Sequence, residues 1–132
     1  MIRYEFKEEE SSLGIILRPV ADAVLEQDEC RVEVSMYIDS GADISMIPYR
    51  FGKALGFKQE KGDVIREIKG ISGAGIPYII KETTLVLNNK SLKVKIAWAL
   101  IEEVPMLMGR TDIFNKFCII FNEKKGWIDF EE

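Results

Sequence analysis

One aspartate stands where a run of alternating apolar residues stops, in Met36-Tyr37-Ile38-Asp39-Ser40-Gly41-Ala42. A carboxylate directly after an apolar strand, and ahead of a small flexible turn, is oddly placed for solubility alone. Such neighbours would desolvate the acid and raise its pKa, which suits general acid or base work at moderate pH. Gly41 lets the backbone turn tightly and leaves room for a ligand or a second chain. The Ser40 hydroxyl can donate and accept, and so can hold the loop. Other chemistries lack their residues. The 132-residue chain has no histidine, which removes Ser-His-Asp and Cys-His catalysis within one chain and argues against a catalytic zinc. Cys30 and Cys118 have no metal-ligand spacing, and two buried free thiols are expected in preference to one disulfide. No metal and no cofactor is implied. The glycine-rich run Gly70-Ile71-Ser72-Gly73-Ala74-Gly75 is not a phosphate loop, because no Gly-Lys-Ser/Thr follows it.

Short strands with frequent turn signals must position these residues, a pattern of an all-β barrel or sandwich. Ile2, Tyr4 and Phe6 alternate with charged residues as a half-buried strand, which the polar run from Glu8 to Ser12 then breaks. The segment from Ile15 to Leu25 reads as strand, with Pro19 at an edge or bulge. After a hairpin loop over Glu26 to Glu29, the alternation Val32, Val34, Met36, Ile38 runs straight into Asp39. Pro48 and Gly56 bracket a short helix over Tyr49 to Leu55, with Gly52 as an awkward resident. Strands from Thr84 to Val86 and from Lys93 to Leu100 flank the turn at Asn88-Asn89-Lys90. Thr111 is a good cap for a second short helix over Asp112 to Phe117. A hairpin around Lys124-Lys125-Gly126 spans residues 118–130.

One domain over 1–132 is expected, and 47% apolar content supplies a core for it. The net charge of −4 argues against a nucleic-acid partner, and Lys90, Lys93, Lys95, Lys124 and Lys125 read as solvated faces. No secretory signal or bilayer-length apolar run is seen, so a soluble cytoplasmic protein without a membrane partner is the expectation.

An Asp-[Ser/Thr]-Gly-[Ala/Ser] segment arises by chance in about one chain in a hundred of this length, so its context decides. That context is Pro105-Met106-Leu107-Met108-Gly109-Arg110, an apolar strand ending at glycine and arginine. Here the sequence resembles the retroviral-type (retropepsin-like) aspartic proteases, in which an Asp-Thr/Ser-Gly-Ala loop follows two apolar strands. In that family a glycine-tipped flap comes next, then an apolar-apolar-Gly-Arg segment. The three pieces stand here in that order, and the likeness covers about residues 14–122. It implies the closed β-barrel-like acid-protease fold, with one or two short helices, in a homodimer. Asp39 matches the catalytic aspartate. Ser40 matches the hydroxyl residue that locks the two active-site loops across the dimer, and Gly41 the glycine whose carbonyl takes substrate hydrogen bonds. Ala42 completes the loop. Asp43 and Arg110 match a family ion pair, and Gly70 to Gly75 match the flap. The helix-bearing stretch from Ile44 to Phe57 resembles cellular and prokaryotic members more than viral ones. The C-terminal hairpin departs from viral members, whose chain ends pair across the dimer.

One Asp-Ser-Gly-Ala segment supplies one carboxylate, whereas this chemistry needs two that share a proton around a water. Two-fold association completes the site, with Asp39 at the axis. The implied activity is that of an endopeptidase acting on peptides or unfolded protein. The alternative is an inactive dimer of the same fold that binds peptides or serves as a scaffold.

Overall fold

The protein is described by a computed structural model over residues 1–69 and 74–132. The first strand, β1 (Ile2–Glu5), buries Ile2 and half-buries Tyr4 while Arg3 and Glu5 face out. The polar run expected to break the chain instead forms β2 (Lys7–Ser11), paired antiparallel with β3 (Gly14–Arg18). This hairpin buries no complete face, so apolar alternation could not announce it. Charges pin it, with Arg18 Nε 2.7 Å from Glu9 Oε2 and Lys7 Nζ 2.6 Å from Asp22 Oδ1. Pro19 falls between β3 and β4 (Val20–Gln27), where its missing N–H interrupts no ladder. A turn at Asp28-Glu29, with Asp28 at φ +54°, leads into β5 (Cys30–Ile38).

Next come β6 (Ser45–Ile47), α1 (Tyr49–Ala54), β7 (Arg66–Lys69), β8 (Gly75–Leu87) and β9 (Lys90–Ala99). The chain ends through β10 (Leu107–Met108), β11 (Cys118–Asn122) and β12 (Trp127–Glu131). Six strands in the order β4-β5-β10-β6-β9-β8 close into a barrel, because β4 also pairs with β8 through Leu25 and Leu85. Strand β7 extends the β8 edge. Inward side chains, including Leu25, Met36, Ile47, Leu85, Ile96 and Trp98, are fully buried and form the core. Apolar burial of this kind is the main favourable term in folding.

Helix α1 caps the barrel against Trp98. Tyr49 stacks on the indole at 5.3 Å and 10°, and the indole Nε1 donates to the Tyr49 carbonyl at 3.0 Å. Gly52 is explained by the same contact, since a Cβ there would lie inside the Trp98 ring. The second expected helix shrinks to one 3-10 turn, Phe114–Lys116. Thr111 does not cap it: its hydroxyl donates to the Asp43 carbonyl at 2.6 Å. Asp112 sits at φ +66°, outside helical geometry, and accepts the Lys95 N–H at 2.9 Å.

The C-terminal hairpin forms as expected, but as part of a three-stranded antiparallel sheet in the order β1-β12-β11. Ile2, Ile128 and Phe130 of this sheet join the barrel core. Arg3 clamps it, its Nε 2.6 Å from Asp129 Oδ1 and its guanidinium 4.0 Å from the Trp127 ring centre. The thiols are free but not buried as expected: Cys30 is half-buried and Cys118 exposed. No helix among the described residues is long and apolar enough to cross a membrane.

Candidate active site

Asp39 follows β5 without a break, and three strands meet at its loop. The two-residue strand β10 runs parallel to β5, Leu107 beside Tyr37 and Met108 beside Ile38. On its other side β10 runs antiparallel to β6, with Leu107 opposite Met46. Main-chain bonds seal the junction: Tyr37 N–H donates to Met106 O at 2.9 Å, and Asp39 N–H to Met108 O at 3.0 Å. The carboxylate therefore projects from the end of a strand fixed on both edges.

The loop folds back on its own aspartate. Gly41 N–H donates to Asp39 Oδ1 at 2.9 Å, and Ala42 N–H to the Asp39 carbonyl at 3.2 Å. One carboxylate oxygen is thus oriented by the main chain. Asp39 is half-buried, while Ser40 and Gly41 are exposed, so the loop presents an open face. Beneath it passes Gly109, whose N–H donates to the buried Ser45 Oγ at 2.9 Å. A Cβ on Gly109 would stand 2.6 Å from the Ile44 carbonyl oxygen and 2.9 Å from that of Ala42. Only glycine fits that crossing. Arg110 N–H then donates to Ala42 O, and Thr111 N–H to Asp43 O, both at 2.9 Å.

The expected ion pair between Asp43 and Arg110 is not formed among the described residues. Arg110 turns a terminal amino group to the Ser40 carbonyl at 3.3 Å and lays its guanidinium 5.4 Å from the Phe114 ring centre. Asp43 contributes its main-chain carbonyl to the junction, and its side chain is exposed. The two segments do meet, through backbone rather than through opposite charges.

Two cavities flank the loop. One, of about 350 Å3, is lined by Ala42, Ile44, Met46, Ile68, Ile76 and Tyr78 among others, and is mostly apolar. Three of these residues come from the β7–β8 hairpin, whose register runs from Arg66 opposite Tyr78 to Lys69 opposite Gly75. Of the expected flap, Gly70, Ile71, Ser72 and Gly73 lie outside the described residues, Ala74 is exposed, and Gly75 begins β8. The other cavity, of about 460 Å3, contains Asp39 itself, with Glu9, Arg18, Tyr37, Ile38 and Leu107.

Sequence reading missed Glu9, Ser45, Tyr37 and Tyr78. Tyr37 had a usable signal, because a residue two before Asp39 shares its side of the strand. Glu9 is brought near by its hydrogen bond from Tyr37, 28 residues on, and Tyr78 by the β7–β8 hairpin, and neither carried a local sign.

No family profile and no curated protein matches the sequence. Among solved structures, a retropepsin-like aspartic protease from Rickettsia conorii aligns with a TM-score of 0.68 and 16% identity, over 97% of this chain and 98% of that one. The EIAV protease, in complex with an inhibitor, aligns with a TM-score of 0.58 and 21% identity, over 75% of this chain and 86% of that one. The fold is the retropepsin-like barrel in both cases, and at these identities the likeness is one of fold.

Proposed function

We propose that this chain is one half of an aspartic endopeptidase, completed when two copies bring their Asp39 carboxylates together across a two-fold axis. The observation that carries this reading is the junction itself. An Asp-Ser-Gly-Ala loop hangs open-faced from β5, tied by β10 and Gly109, with its carboxylate oriented by the Gly41 N–H. A lone carboxylate held so is a poor catalyst of amide hydrolysis. Two of them, too close for both to ionise, hold one proton between them and act as base and acid at once.

The chemistry follows from that shared proton. The ionised Asp39 takes a proton from a water while the water oxygen bonds to the scissile carbonyl carbon. The protonated Asp39 of the other copy donates to the carbonyl oxygen, giving a neutral tetrahedral diol. Collapse breaks the C–N bond, with a proton delivered to the leaving nitrogen. Ser40 locks the paired loops and Gly41 offers its carbonyl to an extended substrate, which lies between the loop and the β7–β8 hairpin. One domain over 1–132 and a cytoplasmic location belong to the same proposal, the latter resting on the free thiols.

Cleavage of an unfolded protein between about pH 4 and 7, against Asp39→Asn, tests the reading. Wild type should cleave and the variant should not, with both sedimenting as dimers. Equal behaviour of two dimeric proteins would favour a peptide-binding or scaffolding role, and a strict monomer could not build the dyad.

A further inference from the structure

Strand β6 is Ser45-Met46-Ile47, buried throughout, and Ser45 is its one polar side chain, with the residue only 1% exposed. A hydroxyl taken out of water is costly unless it is hydrogen-bonded. Ser45 Oγ meets that need by accepting the Gly109 N–H at 2.9 Å. The β6–β10 ladder holds Leu107 opposite Met46, and the hydroxyl serves Gly109 just beyond its end. The other end of the same peptide group is the Met108 carbonyl, which accepts the Asp39 N–H at 3.0 Å. One rigid, planar amide thus has Ser45 on its nitrogen and Asp39 on its oxygen. The two bonds polarise that amide in the same sense, and each strengthens the other.

We propose that Ser45 is a positioning residue for the Asp39 carboxylate, acting through the Met108–Gly109 peptide group. The effect on rate rests on the protease reading above, and the effect on the loop does not. Asp39 has two anchors, its N–H on Met108 O and its Oδ1 under the Gly41 N–H. The second orients the carboxylate within its own loop, and the first fixes that loop to the barrel. Without the hydroxyl, the Gly109 N–H is left buried and unpaired. The peptide group then turns toward another acceptor and draws the Met108 carbonyl off the Asp39 N–H. A reacting group misplaced by about 1 Å loses rate in the chemical step. Substrate affinity, set by surfaces that do not move, is spared. Ser45 lies buried beneath the loop of its own chain, so it acts alike in each copy.

The test compares wild type with Ser45→Ala, Ser45→Thr and Ser45→Cys, all well below their melting temperatures, by steady-state cleavage and by amide hydrogen exchange at Gly109 and Asp39. Ser45→Ala should lose about tenfold in kcat with KM within about twofold of wild type, and both amides should exchange faster. Ser45→Thr, which restores the hydroxyl, should recover most of the rate and both protections. Ser45→Cys, close in size but a weak acceptor, should resemble Ser45→Ala, and it carries the test alone if the alanine variant fails to fold. A kcat that stays at the wild-type value, a loss that appears in KM instead, or a loss that threonine does not recover overturns the role of the hydroxyl while leaving the protease standing. If wild type cleaves nothing, the protease reading falls and exchange still decides the link: Asp39 protection unmoved in Ser45→Ala overturns it too.

Discussion

At the scale of single residues, Asp39 owes its orientation to main-chain groups. Gly41 N–H holds one carboxylate oxygen, and Met108 O receives the Asp39 N–H. The residue that makes this possible is Gly109, pressed against the Ile44 and Ala42 carbonyls. Gly109→Ala should therefore lower the unfolding free energy by about 2 kcal/mol, within the range for forced overpacking, and reduce cleavage as well. Denaturant melts and a proteolysis assay check it, and an unchanged melt would refute the crossing. Asp39 was legible in sequence because apolar alternation runs straight into it. The Asp43–Arg110 ion pair, which the family resemblance implied, is absent among the described residues, where the backbone ties the two segments instead. Their carbonyl and N–H groups make the bonds, which leaves both side chains free to turn elsewhere.

At the scale of elements, α1 shows packing overruling propensity. A glycine inside a helix costs about 1 kcal/mol relative to alanine, so propensity alone predicts that Gly52→Ala stabilises. The Trp98 ring leaves no room for that methyl group, and the structure predicts the opposite sign. Thermal melting decides between them: a lower Tm supports the stacked Tyr49–Trp98 arrangement, and a raised one contradicts it. The strands with one buried face, β5 and β9 above all, were readable from their period of two. By contrast β2 was not, because a strand of Lys-Glu-Glu-Glu-Ser exposed to water differs little from a loop until its partners Arg18 and Asp22 are in place. The missing second helix has a similar cause. Thr111 and Asp112 are good capping residues, but here they are spent on ties to Asp43 and Lys95.

At the scale of the whole molecule, closure of the barrel through β4 and β8 and docking of the terminal sheet are long-range events that no local pattern displays. The terminal sheet offers a pH test. Asp129 is held below its ordinary value of 3.8, chiefly by its hydrogen bond from Arg3. A depressed folded value gives stability that is complete above the unfolded pKa and fades as pH falls through the folded one. The stability gap between wild type and Arg3→Gln should thus be constant above about pH 5 and narrow in more acid solution. A gap that widens on acidification would contradict the pairing.

The proposed two-fold partner rests on counting, since one chain carries one Asp-Ser-Gly-Ala loop. Wild type and Asp39→Asn, mixed at fixed total concentration and allowed to exchange subunits, should show activity that falls as the square of the wild-type fraction. An equal mixture would then retain about a quarter of the wild-type rate, because only dimers with two intact carboxylates work. Activity falling in simple proportion, to about half, would mean that a single Asp39 suffices, and would contradict the shared site.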